Sequence, residues 1–237
     1  MNTTTIDRHP VVAPDEWLEA RKALLARERA LTHALDALRA ERRQLPWVRV
    51  EKSYRFAGPE GECELADLFG DRSQLAIYHF MLPPEGDYVC KGCAFVADHI
   101  DAARQHFEHA DLAFAAVSRA GIDKIEAVRR RMDWAFPWLS SGASDFSYDF
   151  GVYFPEGERN SGRASYNYGV TSIESSSDMF GASFFAKDDH GAVFHTYSTY
   201  HRGIELLMGA FNWLDLASRG RNEGDQIMSW LRLHDEY

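Results

Sequence analysis

The chain has 237 residues, 45% hydrophobic and 13% aromatic, which excludes a disordered, collagen-like or low-complexity protein and fits one generous domain or a compact domain with an added arm. Its 26 Lys+Arg against 36 Asp+Glu leave a formal charge of −10, which repels a polyanion, so nucleic acid is not an expected partner. The start, Met1 to Asp15, is polar, and the longest later apolar run, around Gln74 to Pro84, is far short of the roughly 20 residues that span a bilayer; neither secretion nor membrane insertion is expected.

Between Asp15 and Leu45, Trp17, Leu24, Leu31, Leu38 and Leu45 recur every seven positions, joined by Leu35, Ala20 and Ala34, with charged residues between them. This predicts one long amphipathic helix. Pro14 starts it, because a proline in the first turn loses no helical hydrogen bond, and Pro46 closes it. So narrow a stripe packs either across its own domain or against a second subunit, which would make the protein a homodimer through this helix. Residues 1–46 are thus expected to form an N-terminal helical arm and residues 47–237 the main domain.

From Trp47 the texture changes to short β-type runs. Val48 to Phe56 alternates, Gly58 to Gly61 is turn chemistry and Cys63 to Leu68 resumes, which reads as a hairpin. Gln74 to Leu82 is apolar on both faces, as in a covered central strand, and Pro83-Pro84-Glu85-Gly86 breaks it. Val96, Ile100, Ala103 and Phe107 then recur at helical spacing within Lys91 to Glu108, and Leu112 to Ser118 is a second buried strand, completing a β-turn-α-β unit. A helix follows at Ile122 to Trp134, with Arg129 to Arg131 near its C-terminus, where positive charge suits the dipole, and Pro137 stops it. Ser140 to Asp178 lacks sustained periodicity and predicts loops with short pieces of structure. Ala182 to Lys187 and Val193 to Ser198 form a second hairpin, Ile204 to Leu216 reads as a helix, and Asp225 to Tyr237 as a short helix and tail.

Three cysteines, an odd number and too few for a disulfide framework, fit a reducing compartment, with the cytoplasm as the default. Two of them form Cys90-Lys91-Gly92-Cys93, after a buried strand and its turn and at the start of an amphipathic helix. That spacing brings both sulfurs within disulfide reach, and the free N–H groups and positive helix end stabilise a thiolate on the first cysteine, with Lys91 adding charge beside it. Cys90 is therefore the candidate nucleophile and Cys93 the candidate resolving thiol. A zinc site would need two further ligands; there is no second C-x-x-C, and His79, His99, His195 or His201 could be recruited only through the fold. No metal and no organic cofactor is expected. Cys63 reads as a buried small hydrophobe.

The order hairpin, buried strand, C-x-x-C, helix, then FAAVSRAGIDKIEAVRRRMDWAFPWLSS and DFGVYF, resembles the thioredoxin and peroxiredoxin superfamily. More closely, DLFGDRSQLAIYHFML, GCAFVADHID, SDFSYDFGVYF, FHTYSTYHRG and the closing HDEY resemble the thioredoxin-like family catalogued as domain of unknown function 899, across nearly all of the chain. The resemblance implies an α/β thioredoxin-like fold, a mixed central sheet with helices on both faces plus the long N-terminal helix, and a redox cysteine pair. Two departures matter. The residues entering the later strand, Met179 to Ser183, contain no proline where thioredoxins carry one, and Asp87 stands where peroxiredoxins carry a threonine that bonds peroxide. An anion there opposes the thiolate, which favours thiol–disulfide exchange over peroxide reduction.

The expected activity is thus that of a thiol-disulfide oxidoreductase taking electrons from an external thiol reductant and passing them to a disulfide or oxidised-thiol substrate. The alternatives are a binding or regulatory module without redox turnover, or a thiol peroxidase. Further candidates around the site are Lys91 and Gly92 between the cysteines and Asp98, which either takes the proton from the resolving thiol or is an exposed helix charge. Trp138 and Tyr148 in the loop-rich region, and His195 and Arg202 flanking an aromatic strand, complete the set of candidate substrate contacts.

Overall fold

Pro14 opens a 29-residue helix, α1 (Pro14–Arg42), with Asp15 and Glu16 in its first turn and Arg39 and Arg42 in its last, each sign at the helix end that favours it. The computed structural model describes residues 9–237; the polar start of the chain, Met1 to Arg8, lies outside the described residues. The helix ends before Leu45 because a residue preceding proline disfavours helical geometry. No residue of α1 is buried, and Trp17, Leu24, Leu31 and Leu38 all stand exposed along it. The chain divides into two compact units, Met1–Pro46 and Trp47–Tyr237.

The second unit is built on an eight-stranded sheet. In chain order the strands are β1 (Val48–Arg49), β2 (Arg55–Gly58), β3 (Gly61–Glu64), β4 (Gln74–His79), β5 (Leu112–Ser118) and β6 (Trp138–Ser140), and then, after a separate pair β7 (Ser165–Tyr166) and β8 (Thr171–Ser172), β9 (Gly181–Lys187) and β10 (Val193–Tyr200). Their spatial order is β1-β10-β9-β4-β5-β6-β2-β3. β4, β5 and β6 run parallel, linked by α2 (Lys91–His109) and α3 (Ile122–Arg131), while β9 lies antiparallel to β4 and β10 antiparallel to β9. A β-α-β unit flanked by an antiparallel hairpin on the side of its first strand is the thioredoxin-like arrangement, so the fold is the one expected.

Alternation along β4 sorts the core into two halves. Ala76 and Tyr78, with Phe80 just beyond the strand, face α2, α3 and the C-terminal segment; Leu75 and Ile77 face the opposite layer. That layer is formed by Tyr54, Phe56, Leu65, Phe69 and α4 (Phe146–Asp149), so helical pieces cover both faces. Gly181 opens β9 where a Cβ would lie 2.5 Å from the Tyr200 ring, a close approach that requires glycine.

Several elements differ from expectation. The first hairpin is β2 with β3, turning across Pro59-Glu60, whereas Val48–Arg49 pairs with β10 at the other edge of the sheet. The helix expected over Ile122 to Trp134 stops at Arg131, and Asp133 takes the left-handed conformation at φ 49°. The helix expected over Ile204 to Leu216 is a 3-10 segment, His201–Leu207, followed by α6 (Gly209–Leu216). His99 of α2 breaks it: its Nε2 accepts the Ala210 N–H at 2.9 Å, and Gly209 gives the ring room. Residues 140–178 hold short pieces only: α4, α5 (Glu156–Asn160), β7 and β8. The C-terminal stretch contains a single 3-10 turn, His234–Glu236, and is held by Leu231 and Leu233 in the core and by Arg131 on Asp235 at 2.7 Å. No helix among the described residues is long and apolar enough to cross a membrane.

Candidate functional site

The parallel strand β4 delivers the chain into a largely exposed turn, Pro83 to Val89, which α3 ties down through two of its carbonyls. Lys124 of α3 donates from Nζ to Pro83 O at 2.8 Å and to Gly86 O at 2.6 Å. Replacing Lys124 with methionine should lower unfolding free energy by about 1–3 kcal/mol, read by urea denaturation, because both carbonyls lose a charged donor.

After this turn Cys90 occupies the N-cap of α2 in extended conformation, and its sulfur accepts the Cys93 N–H at 3.2 Å, the place a serine or aspartate oxygen usually takes. The two sulfurs are thus brought together by the first turn of the helix. Cys90 is 7% exposed, Cys93 is 1% exposed, and both are free thiols.

Their electrostatics are unequal. The Cys93 thiol donating to the Cys90 sulfur, together with the backbone amides of Cys93 and Gly92 and the Tyr88 hydroxyl, holds the Cys90 thiol below its ordinary range in spite of burial. Burial, and then the bond to Cys90, pushes Cys93 well above that range. Such a pair holds one activated nucleophile and one silent thiol that waits for it. Three groups that sequence reasoning missed complete the surroundings: Tyr88 beside Cys90, Tyr78 of β4 beside Cys93, and Met228. The Met228 sulfur lies 3.7 Å from where a Cβ on Gly92 would sit, so the C-terminal segment packs against the C-x-x-C turn. Tyr78 was hidden in a uniformly apolar strand, and Met228 in a tail without periodicity.

Of the predicted residues, the structure gathers Cys90, exposed Lys91, Gly92 and Cys93 at this helix start. Asp98, five residues on, lies about 140° round the helix from Cys93, and its Oδ1 accepts from Trp134 Nε1 at 2.8 Å and pairs with His234 Nδ1 at 2.6 Å. Trp138 is corrected from loop to core, fully buried on β6 with its indole N–H donating to Ser118 Oγ at 2.9 Å. Tyr148 lies on α4, donates to Glu158 at 2.9 Å and lines a cavity of about 590 Å³ with Arg119, Ser144 and Tyr153, to which neither cysteine contributes. His195 belongs to the opposite sheet face, packed on Phe150 and Phe185 and bonded to Ser198 Oγ at 2.8 Å. Arg202 is exposed and paired with Glu205 at 3.0 Å. None of these five bonds to either cysteine. Cys63 is half-buried on β3, its thiol pushed up by burial. Among the described residues no three His, Cys, Asp or Glu side chains are grouped to hold a metal ion.

Fold and cysteine pair together define a thioredoxin-like protein with a C-x-x-C at the N-terminus of its central helix. The chain belongs to the family described as bacterial protein of unknown function (DUF899), whose model matches residues 6–237. Among solved structures it is similar to the peroxidoxin BcpB from Mycobacterium tuberculosis, at 12% identity and a TM-score of 0.44, over 72% of this chain and 96% of that one. It is similar at 15% identity and a TM-score of 0.44 to peroxiredoxin Q from Xanthomonas campestris, over 67% of this chain and 90% of that one. The PrxQ of Xylella fastidiosa, at 13% identity and a TM-score of 0.40, is covered over 88% of its length by 68% of this chain. No curated protein matches the chain.

Proposed function

We propose that this protein is a thiol-disulfide oxidoreductase in which Cys90 attacks and Cys93 resolves. The observation that carries the reading is the geometry of the pair: the Cys90 sulfur caps the start of α2 and accepts the Cys93 N–H at 3.2 Å, one turn from a fully buried thiol on the same helix. The Cys90 thiolate attacks one sulfur of a substrate disulfide, forming a mixed disulfide and releasing one substrate thiol. Cys93 then gives up its proton and attacks Cys90 Sγ, releasing the second substrate thiol and leaving a Cys90–Cys93 disulfide. An external dithiol returns the two electrons and two protons, so no metal or organic cofactor takes part. A reducing compartment, the cytoplasm, suits a chain whose three cysteines are free.

The test offers the reduced protein a small aromatic disulfide and, separately, hydrogen peroxide, and follows its thiols by mass. Stoichiometric loss of the disulfide with closure of Cys90–Cys93 supports the reading. Faster consumption of peroxide than of disulfide would move the assignment to a thiol peroxidase, and inertness to both would leave a binding module.

We further propose that α1 pairs with a second copy of the chain, because its seven-residue stripe of Trp17, Leu24, Leu31 and Leu38 is exposed along the helix and such stripes are covered in stable proteins. Removing residues 1–45 should convert the protein from a dimer to a monomer of the shortened chain, read as mass by light scattering; a full-length chain that is already monomeric, or a shortened chain that stays dimeric, excludes this role.

A further inference from the structure

Before it can attack the Cys90 sulfur, Cys93 must carry a negative charge inside the core, where burial opposes it. Asp98, the nearest carboxylate along the same helix, is bonded to Trp134 and His234 instead. Cys93 and Tyr78 share one buried cluster, with Met81 packed against it, and the Met81 backbone amide and the Tyr78 hydroxyl are the groups that favour a charged Cys93 sulfur. Tyr78 is 1% exposed, and its hydroxyl is one of the few buried polar atoms without a well-formed hydrogen bond. Burying a hydroxyl forfeits its bonds to water, so an orphan of this kind is rare in a native core, and phenylalanine would fill the same space without that loss. The orphan sits beside the one sulfur of the site that needs a donor, and needs it only in one state.

We propose that Tyr78 is held for the Cys93 thiolate: its O–H donates the hydrogen bond that the resolving sulfur receives as it attacks Cys90. This rests on the thiol–disulfide reading above. In that step the Cys93–Cys90 bond forms, the bond from Cys90 to the substrate sulfur breaks, and the proton leaving Cys93 goes to the departing substrate thiolate. Tyr78 keeps its own proton throughout, because burial and the neighbouring sulfurs push its phenol far above neutral pH, so it acts as a donor and never as a base. The titratable groups that interact with Cys93 include Cys90 from the helix start, Tyr88 from the preceding turn, Tyr78 from β4 and Tyr166 from β7.

The test uses the full chain with Cys90→Ser, in which Cys93 alkylation is followed by peptide mass against pH, alone and combined with Tyr78→Phe. Tyr78→Phe should raise the alkylation midpoint of Cys93 by about one pH unit, a tenfold loss of thiolate. With Cys90 present, it should slow decay of a trapped mixed disulfide about tenfold relative to the step that forms it. The melting temperature of the reduced protein should change little, since the resting hydroxyl makes no well-formed hydrogen bond. An unmoved midpoint with unchanged decay overturns the proposal. If wild-type protein never closes a Cys90–Cys93 disulfide the redox reading fails, yet the Cys93 midpoint still reports whether Tyr78 donates to it. Should Tyr78→Phe not fold, 3-fluorotyrosine at position 78, a stronger donor of nearly the same shape, should lower the midpoint, and no shift would count against the proposal.

Discussion

Cys90→Ser should abolish turnover in a dithiol-driven disulfide-reduction assay, a loss on the order of 10³-fold or more, the scale of removing a nucleophile. A serine hydroxyl in the N-cap still accepts the Cys93 N–H, so the helix start and the fold persist, and what disappears is the only sulfur of the pair that the surrounding donors hold toward thiolate. Cys93→Ser should behave differently. Its Cys90 keeps the capping amides and Tyr88, so the first attack still occurs, but no sulfur remains to release the substrate. A mixed disulfide of protein and substrate should accumulate and be visible as an added mass on the Cys90 peptide. If both variants turned over like wild type, neither cysteine would hold the assigned role; if Cys93→Ser alone were lost without any trapped species, Cys93 and not Cys90 would be the attacking thiol.

The second large effect is acid lability, and it comes from the other face of the sheet. His79 of β4 is fully buried, its Nε2 bonded to Ser183 Oγ at 2.8 Å while Nδ1 has no partner. The polar line continues through Ser198 to His195, each link 2.8 Å. Burial, and to a lesser degree His195, pushes the His79 imidazole down to about 3 from its ordinary 6.5. The native state therefore binds no proton at His79 between those values while the unfolded chain does, so stability is intact above pH 6.5 and is lost as pH falls toward 3. At about 1.4 kcal/mol per unit, this costs about 2 kcal/mol at pH 5 and about 4–5 kcal/mol by pH 3. His195, also lowered by burial, adds in the same direction. Urea unfolding of wild type at pH 7.5 and 5 should show this loss, and His79→Asn, whatever its stability at pH 7.5, should show a flattened difference between the two. An equal pH difference in the variant would place the lability elsewhere.

The parts of this molecule that local pattern determines were legible in the sequence. Gln74 to Ser118 reads as strand, turn, helix and strand because apolar residues, prolines and helical spacing all agree, and the C-x-x-C falls at the one point where a helix N-terminus meets a buried strand. The hairpin of β9 and β10 was equally plain from the two runs Ala182 to Lys187 and Val193 to Ser198. What failed depends on partners distant in the chain. Val48 joins β10 rather than its own neighbours because pairing at a sheet edge follows tertiary register, and the break at Met208 exists because His99, more than a hundred residues earlier, caps α6. Asp98 was left open between two roles, because separation along the chain does not give the angle round the helix that decides contact. Trp138 was assigned by the loops around it, although three residues of parallel pairing to β5 suffice to bury it. Tyr78 was invisible for a related reason: in a strand apolar on both faces, a phenol looks like one more core residue until its oxygen is seen beside a sulfur.

The central claim is that Cys90 and Cys93 form a redox couple, and the reduction potential of the pair tests it most directly. Purified protein is equilibrated across a series of glutathione or dithiothreitol ratios, quenched by alkylation, and the Cys90–Cys93 peptide resolved by mass so that Cys63 does not confuse the count. The account predicts a two-electron transition with a midpoint between about −120 and −270 mV, the range spanned by thiol–disulfide oxidoreductases. Two thiols that stay free at every ratio would contradict it.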